Sequence, residues 1–178
     1  LTDYKQLKAK ATTTERRQLA ATGMLRSAAM MQDDVETIAA ATDMLAEAKL
    51  TPELRNEALY FRAKAYLNQQ ADKKAMNDLQ ALAKDTRTLY GAEAKYLVAL
   101  QLYKAHEYAA AEKEILNFIE QSTPHAYWLA RSFILLSDVY VAMDKKLDAR
   151  QYLLSLQQNY HADDDIEQMI NERLEKLK

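Results

Sequence analysis

Residues 99–124 read ALQLYKAHEYAAAEKEILNFIEQSTP, and their spacing decides the fold. Ala99 is small, Leu102 three residues on is large, Ala111 follows at twelve and Ile115 at sixteen. Two helices that cross closely need small side chains at the crossing and large ones beside it, because their separation is set by the contacting residues. A helix carrying Ala99 and Leu102, a short turn near His106-Glu107, and a second helix carrying Ala111 and Ile115 meet that need as an antiparallel hairpin. Thr123-Pro124 then reads as a new helix start, with Thr as the N-cap and Pro at the first helical position.

Working outward, the same device stands at Thr51-Pro52, 72 residues earlier and so two periods of 36 away. The marker recurs as well. Ala28, Ala63, Ala99 and Ser137 are followed at three residues by Met31, Tyr66, Leu102 and Tyr140. At twelve come Ala40, Ala75, Ala111 and Ala149, and at sixteen Met44, Leu79, Ile115 and Leu153. A period of 30–40 residues is the signature of a helical repeat array.

This pattern resembles the tetratricopeptide repeat (TPR), and the spacing is similar to that in large bacterial cell-envelope TPR proteins. The resemblance implies an all-α fold: a right-handed superhelix of antiparallel helix pairs, a TPR-like solenoid of about four repeats plus a capping helix. It departs from the family in lacking a turn glycine, with His106-Glu107 and Asp144-Lys145 at such turns, and in placing Arg62, Lys95 and Glu47 at usually apolar positions. Within a single 1–178 domain, residues 1–11 read as the tail of a truncated preceding repeat. Repeats follow at 15–50, 52–87, 88–122 and 123–161, and a capping helix at 164–178. Capping boxes at Thr12–Glu15 and Asp164–Glu167 mark the first and last of these helix starts. Ile166, Met169, Ile170, Leu174 and Leu177 form the cap's apolar stripe, and Glu172 precedes Lys176 by four residues on its charged face. The chain is expected to be the C-terminal part of a longer protein. The marker steps of 35, 36 and 38 exceed the family's usual 34. The surplus in the last step predicts one extra turn, His125–Trp128, at the start of the fourth repeat's first helix.

Composition narrows the function. Two glycines, two prolines and no cysteine leave no phosphate-cradling loop, no thiol chemistry and no zinc-thiolate site. The three histidines are far apart, and HADDD at 161–165 lacks the glycine and terminal Glu of a calcium loop; it reads as helix capping. No catalytic, cofactor-binding or metal residues are expected. A net charge of −2, with a mildly basic start and a mildly acidic end, offers no general attraction to nucleic acid, and no apolar run is long enough for membrane insertion.

The resemblance implies a non-enzymatic scaffold that binds a protein or peptide partner in a concave groove lined by the first helix of each pair. On those helices the groove residues would be Leu25 and Ala29; Tyr60, Lys64, Leu67 and Asn68; Tyr96, Leu100, Tyr103 and Lys104; and Ile134, Asp138 and Val141. The tyrosines either contact a partner or pack between neighbouring helices. Trp128 and Tyr127 either pack against Phe118 and Ile119 or form an exposed hot spot. Met24, Met30, Met31 and Met44 read as core filler. The alternative function is self-assembly into a homo-oligomer through a terminal repeat exposing Tyr4 and Leu7. Localisation rests on the resemblance alone, which points to the periplasm or cell envelope and leaves the cytoplasm open.

Overall fold

The computed structural model describes all of residues 1–178 and contains ten α-helices and no strand. They are α1 (Thr2–Lys10), α2 (Thr14–Met30), α3 (Asp34–Leu45), α4 (Pro52–Asn68), α5 (Asp72–Leu82), α6 (Leu89–Lys104), α7 (Tyr108–Glu120), α8 (Ala126–Ala142), α9 (Lys146–Asn159) and α10 (Ile166–Lys176). The chain divides into two compact units, Leu1–Leu82 and Ala83–Lys178. In the first, each helix packs on its successor and α2 also meets α4. In the second, α6 packs on α7 and α8, α7 on α8, α8 on α9, and α10 on both α8 and α9.

Four hairpins, α2–α3, α4–α5, α6–α7 and α8–α9, share one turn. Its middle residue is left-handed in each case: Gln32 (φ 55°), Gln70 (57°), His106 (60°) and Asp144 (60°). The next residue's N–H reaches back to a carbonyl five residues earlier: Asp33 to Ala28, Ala71 to Tyr66, Glu107 to Leu102 and Lys145 to Tyr140, at 2.8–3.0 Å. This hydrogen-bonded helix ending ordinarily takes glycine at the left-handed residue, and a side chain there is strained by roughly 1–2 kcal/mol. His106 offsets part of that strain through Nδ1, 2.6 Å from the Tyr108 hydroxyl.

The turn corrects one register. Counted back from the left-handed residue, Ala63, Ala99 and Ser137 are equivalent to Leu25 and not to Ala28, which aligns with Tyr66, Leu102 and Tyr140. Leu25 is therefore a core residue, fully buried with Ala21, Met24, Ala40, Ala41, Met44 and Ala58, and not a groove residue. Met30 and Met31 leave the core altogether, at 86% and 64% exposure; only Met24 and Met44 fill it.

Three helix starts also move. The cap of α2 is Thr13, which accepts from Arg16 N–H, and not Thr12. At α10, Asp165 takes the cap position, while Asp164 accepts from Ile166 N–H and from the Tyr160 hydroxyl. Thr51-Pro52 starts α4 as expected, but α8 begins at Ala126, two residues after Pro124. There Thr123 Oγ1 donates to the Thr86 carbonyl at 2.8 Å and His125 Nε2 lies 3.0 Å from that of Arg87, which hold 123–125 against the 83–88 loop. Tyr127 and Trp128 do lie in the first turn of α8. That helix has 17 residues, however, as α2 and α4 do, so it has no added turn.

Both glycines serve close approaches. A Cβ at Gly91 would meet the Asp85 carbonyl oxygen at 1.9 Å, and one at Gly23 would meet the Tyr4 ring at 2.3 Å. Tyr4 thus packs flat on α2, and α1 is tied further by Lys5–Glu36 and Lys8–Asp43 ion pairs.

Candidate functional site

In the first unit, Tyr60, Lys64 and Asn68 recur every fourth residue and so share one face of α4. They line an open cleft of about 550 Å³ together with Phe61 and Ala65 of the same helix, Ala29 of α2, the turn residue Gln32, and Asp34 and Thr37 of α3. Asn68 Nδ2 donates to Asp34 Oδ1 at 3.0 Å across the mouth. The Lys64 ammonium stands 5.8 Å above the Tyr60 ring, which meets Phe61 edge-on with centroids 5.5 Å apart. The cleft therefore offers an aromatic wall, a floor of alanines and a polar rim, with exposed Met30, Met31 and Val35 close by in sequence on either side of the turn. Small concave sites of this composition take a partner side chain and orient it by a few polar contacts.

The second unit places the other predicted residues differently. Tyr96 is buried: its hydroxyl accepts from Arg131 Nη2 at 3.1 Å, and its ring packs on Trp128 with centroids 5.5 Å apart. Trp128 thus meets Tyr96 of α6 and Tyr127 of its own helix. Ile134 is 1% exposed, sealed with Leu153, Leu156, Ile166 and Ile170 because α10 lies over it. Asp138 is held by Arg173 Nε and Nη2, each at 2.8 Å. Leu100 is half-buried and Lys104 exposed. Tyr103 packs on Tyr108, with its hydroxyl pushed above the usual range by burial and then by the Asp138 carboxylate.

Alignment on the turn shows that the cleft recurs. Three residues before the left-handed residue stand Ala29, Tyr103 and Val141; two after it stand Asp34, Tyr108 and Lys146. Against α6 and α7, Tyr103 and Tyr108 fill the place, with Ile134 and Leu135 of α8 buried. Against α8 and α9 it is open again as a cavity of about 300 Å³, lined by Val141, Lys146, Lys176 and Leu177 among others. The ion pairs fix the equivalence of α10 with α4: Arg26–Glu57 joins α2 to α4 where Asp138–Arg173 joins α8 to α10. Lys176 and Leu177 then stand where Tyr60 and Phe61 do, because each follows Glu57 or Arg173 by three and four residues.

No family model, curated protein or solved structure matches the chain.

The site is thus read from its own chemistry. No helix is long and apolar enough to cross a membrane. Two of the three HADDD carboxylates are engaged internally: Asp164 as above, and Asp165 3.6 Å from Arg131. Burial, followed by hydrogen bonding to Asp164, pushes the Tyr160 hydroxyl up to about 12. Burial and then Glu112 raise Tyr140 still further. A tyrosine whose folded pKa exceeds its unfolded value of about 10 contributes stability in full below pH 10 and loses it as the pH rises toward the folded value. We therefore expect three of the eleven tyrosines, Tyr103, Tyr140 and Tyr160, to ionise late in an ultraviolet titration, with stability falling above pH ~10. Tyr160→Phe should remove one of the three and flatten that fall.

Proposed function

We propose that the chain is a TPR-like array of four hairpins closed by α10, and that it is a non-enzymatic scaffold binding a segment of a protein partner in the α2–α4 cleft. One observation carries the reading: Tyr60, Lys64 and Asn68, chosen by their place on the first helix of a hairpin, line one open cavity beside an aromatic neighbour. The repeated turn and the packing of α2 on α4 and of α6 on α8 support the array. The partner presents an apolar or aromatic side chain to Tyr60 and Phe61, and its backbone or polar groups meet Asn68 and Asp34. Exposed Met30 and Met31 suit such contacts because methionine adapts to varied surfaces.

Selection from a displayed random-peptide library on the full chain tests this. Selected peptides should bind the Tyr60→Ala/Asn68→Ala variant at least about tenfold more weakly, since truncating a central tyrosine typically forfeits more than ~1 kcal/mol. Unchanged affinity would remove the cleft from the reading. Tyr96 has no place in the test, because its loss would report on packing against Arg131 and Trp128.

A further inference from the structure

We propose that the α8–α9–α10 cleft is a second docking site, which takes an acidic side chain of a partner segment on Lys146 and Lys176 and an apolar neighbour on Val141 and Leu177. It uses none of the residues of the α2–α4 cleft.

Four correspondences show that this is the same structural place: Ala29 with Val141, Asp34 with Lys146, Tyr60 with Lys176 and Phe61 with Leu177. What differs is charge. In the first cleft Asp34 is satisfied internally by Asn68. In the second, the other charged lining groups are already engaged. Asp138 and Arg173 hold each other through two 2.8 Å bonds, and Glu172 accepts from Gln168 at 2.9 Å rather than pairing with Lys176 four residues on. Lys146 and Lys176 have no partner within the chain.

The fold does not account for Lys146. It is the first residue of α9, whose cap position, Lys145, makes no side-chain capping bond. A cation there opposes the helix dipole, where an acidic residue such as Asp34 of α3 is favourable. Asp148 in the same turn offsets that cost, but no ion pair to Lys146 forms within the chain, so its ammonium is left to an external anion. The chain as a whole carries −2, so attraction of an acidic segment is local to these two ammonium groups. The apolar share is set by Val141, 40% exposed, and by Leu177. An aspartate or glutamate flanked by a leucine-like residue satisfies both.

The probe is a short labelled peptide of repeating Glu-Leu-Ser, with its Gln-Leu-Ser counterpart, added to the full chain and read by fluorescence anisotropy. The Glu peptide should bind at least about tenfold more tightly than the Gln peptide and weaken with added salt. Lys146→Gln/Lys176→Gln should erase that preference. Lys73→Gln/Lys84→Gln, which changes two exposed lysines lining neither cleft, and Tyr60→Ala/Asn68→Ala should both keep it. NMR shift changes should centre on Val141 and Leu177. Equal binding of the two peptides, no binding of the Glu peptide, or equal losses in the two lysine pairs would overturn the proposal. Shift changes centred on Tyr60 and Asn68 would overturn it too, while leaving the α2–α4 reading intact.

Discussion

Asp78→Ala is expected to destabilise the protein by about 3–5 kcal/mol, the usual consequence of removing one partner of a buried ion pair. Arg62 and Asp78 meet through two 2.8 Å bonds between α4 and α5, and a third guanidinium nitrogen donates to Thr42 of α3 at 3.2 Å. The side chains are only 19% and 7% exposed. The bond to Asp78 raises the Arg62 pKa against an opposing desolvation, so Arg62 stays charged and the alanine variant strands a cation in the hairpin. The effect comes from that stranded charge, not from a large net gain of the pair, which leads to a second expected result. Arg62→Met/Asp78→Leu should recover most of the loss or exceed the parent, since well-packed apolar replacements of buried pairs are often neutral or better. Urea unfolding of the three proteins decides the matter. A single variant within about 1 kcal/mol of the parent would mean that water reaches Arg62 in the hairpin.

The same pair shows what sequence reading could and could not reach. Arg62 and Lys95 stand out as charges where apolar groups are usual, but their partners are invisible until the hairpin closes. Asp78 lies 16 residues from Arg62, and Lys95 is buried against Glu114 and Asn117 on α7. The helices themselves were legible because scarce Gly and Pro leave little else to form. The first repeat's register was not, because its true marker positions hold Leu25, Ala28, Thr37 and Ala41, which invert the small–large pattern, while Ala28, Met31, Ala40 and Met44, three residues on, match it. A turn glycine would have decided between them, and Gln32 takes its place. Tyr60, Lys64 and Asn68 were legible as one face of one helix. Whether a face stays open is a different question, because it depends on the next element. Tyr96 and Ile134 occupy comparable helix positions, yet α8 covers one and α10 the other. Asp34, Phe61, Lys146 and Lys176 were missed because they are found only by counting from a turn residue whose backbone conformation no motif announces.

Ile170→Ala is expected to cost about 2–5 kcal/mol, as for other large-to-small changes at sealed sites. Ile170 and Ile166 are 1% and 0% exposed, packed with Ile134 and Ala130 of α8 and Leu153 and Leu156 of α9. An eleven-residue helix is marginal alone, so α10 persists through that contact and the two-toothed Arg173–Asp138 pair. The pair is about a quarter exposed on each side and cannot hold the helix unaided, because water screens it. Amide exchange should therefore show α10 losing protection before the rest of the second unit, with the middle of α8 around Ile134 following. Leu147→Ala, at an 85% exposed position, should stay within about 0.5 kcal/mol and serves as the control. The result bears directly on the second cleft, since Lys176 and Leu177 line it from α10. If the Ile170 variant frays α10, the preference for the Glu peptide should fall with it while both lysines remain in the chain. Full protection of α10 in that variant would mean that Ile170 does not dock the helix, and Ile134 would need another cover.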